Sequence, residues 1–132
     1  MEKLNNKERY LKFIKDFKEI NISNILKEIN MDNSSFYTER YSLENMQKIN
    51  DEFRKRLCEF YSELNNEFIL DTKESNINFV KEVSNISPIN ICKDLSIQSC
   101  DIYALRASEN KYELVVNTIK ERLKETFNKY SK

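Results

Sequence analysis

The chain has 132 residues and not one of them is glycine; proline occurs once, at position 88. Tight turns and hairpins draw on those two residue types, so a chain that nearly lacks both has little material for a sheet. Lys, Glu, Asn and Ile are spread throughout instead, and an all-α fold is expected. Apolar residues make up 39% and charged residues 33%, enough to bury a core and too apolar for a disordered chain.

The second constraint is a repeat. Sliding the sequence by 66 positions without a gap leaves Lys7/Lys73, Glu8/Glu74, Phe13/Phe79, Ile20/Ile86, Asn24/Asn90, Ile25/Ile91, Tyr37/Tyr103, Arg40/Arg106, Arg56/Arg122 and Leu57/Leu123 identical, as it does Leu4/Leu70. Apolar character also persists at Ile14/Val80, Phe17/Val83, Ile29/Leu95, Met31/Ile97, Phe36/Ile102, Met46/Tyr112 and Ile49/Val115. Chance identity would not follow the positions a helix buries, so two copies of one unit are expected: residues 1–66 and residues 67–132. A lone 66-residue unit would bury only about 60% of its surface, so the halves should pack on each other.

Periodicity and caps divide each unit into four helices. The first runs near Lys7 to Glu19 with Leu11, Ile14 and Phe17 on one face. The second follows Asn21, or Ser87 with Pro88 at the first helical position, where a missing N–H is harmless. The third begins after Asn33 or Ser99, taken as N-caps. The fourth begins after Ser42 or Ser108 and is long, with Met46, Ile49, Phe53, Leu57, Phe60 and Leu64 spaced by three or four. The stripe Tyr112, Val115, Ile119, Leu123, Phe127 and Tyr130 in the last helix suits the chain's own core better than a seam with another molecule.

Several chemistries are excluded or disfavoured. With no histidine, imidazole catalysis is impossible and a metal site would need unusual ligands. Three cysteines, Cys58, Cys92 and Cys100, have no CxxC spacing, so free thiols and a reduced, cytoplasmic compartment are expected. No run approaches the roughly 18 apolar residues that span a bilayer, and the charged start lacks a signal-peptide core. Carboxylate pairs such as Asp51 and Glu52 lie on a solvated helix face, with no nucleophile or phosphate loop beside them. Catalytic residues, a metal and a cofactor are therefore not expected. Acidic and basic residues balance at 22 each, and within each half, which weighs against strong nonspecific nucleic-acid affinity.

The second and third helices resemble the helix-turn-helix of Cro and CI-type DNA-binding regulators of phages and plasmids. In a 20-residue motif counted from Ile22, the apolar positions 4, 8, 10 and 15 hold Ile25, Ile29, Met31 and Phe36; counted from Pro88 they hold Ile91, Leu95, Ile97 and Ile102. Position 18 is Leu105 in the second copy and Glu39 in the first, the turn position often given to glycine is Asn30 or Ser96, and the small residue of position 5 is Cys92 or the bulkier Leu26.

The resemblance implies two tandem helix-turn-helix bundles of about four helices each, forming a transcriptional regulator such as a repressor. The third helices would then read double-stranded DNA in the major groove through Asn33, Ser34, Tyr37 and Thr38 in one copy and Gln98, Ser99 and Tyr103 in the other. Arg40 and Arg106 would hold phosphates. Each residue also has a packing role open to it: Tyr37 and Tyr103 at the core edge, Asn33 and Ser99 as caps, the arginines on helix-end carbonyls or a carboxylate such as Glu44. Dimeric regulators space their recognition helices about 34 Å apart, and one tandem chain could supply both as a monomeric pseudo-dimer, or associate as a homodimer. Charge neutrality favours a different use of the same shape: a protein-binding inhibitor of a host defence enzyme, carried by a phage or plasmid.

Overall fold

A computed structural model describes residues 5–131; Leu4 of the Leu4/Leu70 pair lies outside them. The fold is all-α. Among the described residues eight helices follow one another: α1 (Asn6–Glu19), α2 (Ile22–Glu28), α3 (Asn33–Tyr37), α4 (Leu43–Phe60), α5 (Lys73–Ser84), α6 (Pro88–Asp94), α7 (Ser99–Tyr103) and α8 (Glu109–Tyr130).

The register of 66 holds in the backbone. α2 and α6 start and stop at corresponding residues, as do α3 and α7. The Asn21 side chain accepts from the Asn24 amide as the Ser87 hydroxyl accepts from Asn90, at 2.9 and 3.0 Å. Left-handed residues fall at Asn30 and Ser96 (φ 55° and 57°), and again at Glu39 and Leu105 (both 60°). Each left-handed residue closes a helix end in the same way. The Met31 amide reaches back to the Leu26 carbonyl at 2.8 Å, and Ile97 to Cys92 at 2.8 Å; Arg40 reaches Ser35 at 3.0 Å, and Arg106 reaches Asp101 at 2.8 Å. This is the Schellman closure, built four times without glycine.

The halves nevertheless share one core. The buried apolar residues form a single cluster, from Leu11 in α1 to Phe127 in α8. The packing is crosswise: α1 lies chiefly against α8, and α5 against α4 as well as α8. Moving each helix of the α1/α8 pair to its counterpart in the other half produces the α5/α4 pair, the relation a pseudo-two-fold axis gives. Positions 66 apart also meet: Asn65 Nδ2 donates to Ser131 Oγ at 3.2 Å. The resemblance implies a bundle in each half, and the first helix of each also packs across the halves, α1 on α8 and α5 on α4.

The connection between α4 and α5 is also bound to the core. α4 stops at Phe60, so Leu64, expected within the helix, lies beyond it, though it is buried. Phe68 stacks among Phe79, Phe127 and Tyr130. The buried Arg54 guanidinium lies 4.4 Å from the Phe68 ring centroid and donates to the Phe68 carbonyl at 2.7 Å. Gln47 and Asn76 both donate to the Leu70 carbonyl, at 2.8 and 3.1 Å. The α8 stripe faces inward: Tyr112, Val115, Ile119, Leu123 and Phe127 are buried and Tyr130 packs against them. Among the described residues no helix is long and apolar enough to cross a membrane.

Candidate nucleic-acid interface

The wedge of each half is α2 with α3, or α6 with α7. Two features depart from the helix-turn-helix pattern. α3 and α7 have five residues each, a rise of about 7.5 Å. They end at motif position 16, and position 18 is the left-handed residue that follows: Glu39 is exposed and Leu105 is 41% exposed. The resemblance wants an apolar residue at position 18, which Leu105 supplies and Glu39 does not. Ile29, at position 8, is also 50% exposed where the pattern buries it. The turn itself is as expected, because Asn30 and Ser96 both take the left-handed conformation usually given to glycine. Leu26 and Cys92 are both buried at position 5.

The caps differ too. α3 begins at Asn33 with Asp32 as N-cap, and α7 begins at Ser99 with Gln98 before it, so neither Asn33 nor Ser99 caps. One Asp32 oxygen accepts from the Ser34 amide at 3.3 Å, and the other from the Ser34 and Ser35 hydroxyls at 2.6 and 2.9 Å. A carboxylate can satisfy all three donors at once, which an asparagine oxygen one residue later cannot. The Ser34 and Ser35 hydroxyls hold the Asp32 carboxyl below its ordinary range.

Much of the proposed reading surface is committed internally. The Ser34 hydroxyl belongs to Asp32, and the Thr38 hydroxyl donates to the Ser34 carbonyl at 2.8 Å. Tyr37 is half-buried, its ring edge-on to Phe36 at 5.5 Å, and burial raises its pKa. Tyr103 is likewise half-buried; its hydroxyl is enclosed without a hydrogen-bond partner, and burial raises its pKa as well. Arg106 Nε donates to Asp101 Oδ1 at 3.2 Å. Arg40 is exposed and makes no ion pair among the described residues; Glu44, its suggested partner, meets Lys48 at 3.4 Å. Asn33 and Gln98 are exposed at the tips of the two wedges, while Ser99 is partly buried.

Sequence reasoning placed Tyr112 in the core stripe but missed the bond its hydroxyl makes. This residue is fully buried in α8, and its hydroxyl donates to the Ile102 carbonyl at 2.6 Å, fixing the end of α7. Its counterpart Met46 can make no such bond. The signal was available as a tyrosine within an apolar stripe, since a buried phenol needs a partner.

A second concave feature lies between α2 and α4, a groove of about 360 Å³ with Ile25, Ile29, Met31 and Ile49 beneath and Lys48 and Glu52 at the side. Arg56 on this groove pairs with Glu28 of α2, and the matching Arg122 meets Asp94 at 3.1 Å. Both bonds tie a second helix to a fourth. Cys58, Cys92 and Cys100 are all free thiols, and no group of three or more His, Cys, Asp or Glu among the described residues could hold a metal ion. Comparison of the chain with protein-family models, curated proteins and solved structures finds no match.

Proposed function

We propose that the chain is a non-catalytic, sequence-specific DNA-binding regulator that offers two unequal wedges from one polypeptide. The observation that carries this reading is the crosswise packing of first and fourth helices. It relates two backbone-matched wedges by a pseudo-two-fold axis, as a dimeric regulator does with two chains. Because α3 and α7 are so short, reading is confined to their tips. Asn33 and Gln98 are the exposed amides there, and each could pair bidentately with adenine, contributing about 1–3 kcal/mol of discrimination. Arg40 and Arg106 supply the phosphate contacts, Arg106 once it leaves Asp101. Ser34, Thr38, Tyr37, Ser99 and Tyr103 shape the wedges.

Titration of labelled duplex from upstream of the gene, repeated at several salt concentrations, tests this. With only two phosphate-binding arginines engaged, log K should fall against log salt with a slope of about −2. Asn33→Ala and Gln98→Ala should relax preference at different positions of the duplex, because the tips differ. Failure of the wild-type chain to prefer any duplex over a scrambled one would end the reading.

The groove beside Ile29 favours a second reading, in which the same shape binds a protein such as a defence enzyme. A half-exposed isoleucine over an apolar floor suits an inserted side chain. Ile29→Asp should then abolish capture of the partner and leave duplex binding intact.

A further inference from the structure

The outer side of α4 carries Glu44, Lys48, Glu52 and Arg56 at four-residue steps, with the charge alternating in sign. Residues at that spacing form one ridge along a helix. The ridge borders the groove beside Ile29, since Lys48, Glu52 and Arg56 all line it. Within the chain these charges meet their own helical neighbours, Lys48 Nζ at 3.4 Å from Glu44 and Arg56 Nε at 3.0 Å from Glu52. Exposed pairs of this kind contribute little to stability. The order of the charges has a second property: reversed, it is its own complement. An antiparallel copy centred between Lys48 and Glu52 sets Lys48 against Glu52 and Glu44 against Arg56, each pair twice. The repeat does not impose this, because the matching positions of α8 hold Asn110, Leu114, Thr118 and Arg122, one charge in four.

A solvated helix face needs mixed charges but not this order, and it does not account for a half-exposed isoleucine over an apolar floor at its side. We propose that the face is an interface between two copies of the chain, α4 packing antiparallel on α4 of the second copy so that each Ile29 groove is covered by the other molecule. The paired charges set register and orientation, and burial of Ile29 and the groove floor supplies the attraction. Because only the first half carries the ridge, the contact is isologous and closes at two chains. A matching ridge on α8 would give every chain a second such face across the pseudo-two-fold axis, and open arrays would follow. One helix face with a short neighbour is small for an interface, below about 1,200 Å², so the association is weak and concentration-dependent. The proposal goes beyond the duplex reading and does not depend on it; it gives the groove an occupant other than the foreign protein of the second reading.

Sedimentation equilibrium on the full chain, from about 1 μM to about 1 mM, decides it without DNA. The average mass of the wild-type protein should rise from 15.9 kDa toward twice that value. Lys48→Glu and Glu52→Lys each set like charges against one another in the homodimer, and each should weaken association about tenfold or more. Mixed in equal amounts, the two variants are complementary again and should associate with each other about as well as wild type does. The doubly reversed chain, Lys48→Glu with Glu52→Lys, should recover in the same way. Ile29→Asp should weaken association, and mixing with either charge variant should not restore it. Recovery on mixing also separates the interface from misfolding, since a damaged fold gains nothing from a second damaged chain. A mass of 15.9 kDa at every concentration, single reversals that associate as wild type does, or a mixture no stronger than its components would overturn the interface. Capture of a foreign protein by a wild-type chain that stays monomeric would overturn it as well and give the groove to the second reading. Absence of duplex binding ends the DNA reading, while the mass measurement decides the interface by itself.

Discussion

Among the described residues four hold the left-handed conformation without being glycine, and their response to glycine should depend on what each side chain otherwise contributes. For an L-residue that conformation costs about 1–2 kcal/mol, relieved in part when Asn occupies it. Introducing glycine costs about 0.5–1 kcal/mol through the entropy of the unfolded chain. Glu39 and Ser96 are exposed, so little packing is lost there, and Glu39→Gly and Ser96→Gly should each stabilise by about 0.5–1 kcal/mol. The hydrogen bond from Lys73 Nζ to the Glu39 carbonyl involves backbone and survives the change. Leu105 is 41% exposed, and losing its buried portion forfeits about 1 kcal/mol, which cancels the gain. Asn30 already tolerates the geometry, so Asn30→Gly should be near neutral.

Glu39 and Ser96 close different wedges and share no partner, so the double variant should gain about 1–2 kcal/mol. That corresponds to a rise in Tm of roughly 3–8 °C. Urea denaturation measures it directly, as an increased midpoint with an unchanged slope. Destabilisation by Ser96→Gly, or a larger gain from Leu105→Gly than from Ser96→Gly, would refute the reasoning, because the steric penalty would then not be the controlling quantity.

Tyr112→Phe removes the hydroxyl that holds the end of α7 and leaves the Ile102 carbonyl without that donor. The Ile102 carbonyl keeps the Leu105 amide at 3.2 Å, so the change should cost about 0.5–1.5 kcal/mol in urea denaturation, and α7 amides should lose protection before α8 amides do. Stability should be flat from about pH 5.5 to 8, because no histidine titrates there. On the acid side, hydrogen bonds from Ser34 and Ser35 lower Asp32, and partners Arg56 and Lys124 lower Glu28 and Glu63. Burial acts to raise Glu82, but Lys129 and Tyr130 outweigh it and the net shift is downward. Depressed carboxylates contribute stability present above their ordinary values and lost as pH falls through the folded ones. On the basic side, burial raises the thiols of Cys58 and Cys92 and the phenols of Tyr37, Tyr103 and Tyr112. Stability from those groups is present below the ordinary thiol and phenol ranges and is lost as pH rises above them. A midpoint that moves between pH 6 and 7 would contradict this assignment.

What the sequence disclosed depended on whether the information was local. Helix starts at Asn21, Ser42 and Ser87 were readable because a short polar side chain caps the amide three residues ahead. The stretch MDNSS offers competing caps, and only the full set of donors around Asp32 resolves the choice. The left-handed turn at Asn30 follows from a residue type that tolerates it, whereas nothing about Glu39 or Leu105 announces one. Periodicity also says which face is buried but not against what. Phe13 and Phe79 are the same residue at matched positions, yet Phe79 is fully buried among Phe53, Phe68, Phe127 and Tyr130 while Phe13 is half-buried against Phe60. Phe68 comes from the connection between the halves, so the difference lies in chain topology and not in the repeat. The same holds for the wedges. Tyr37 and Tyr103 are identical letters, yet Tyr103 lies under the Lys18 ammonium of the other half, a position whose match 66 residues later is Ser84. In a chain packed crosswise, the surroundings of a helix are written partly in the sequence of the other repeat, where no motif confined to that helix would show them.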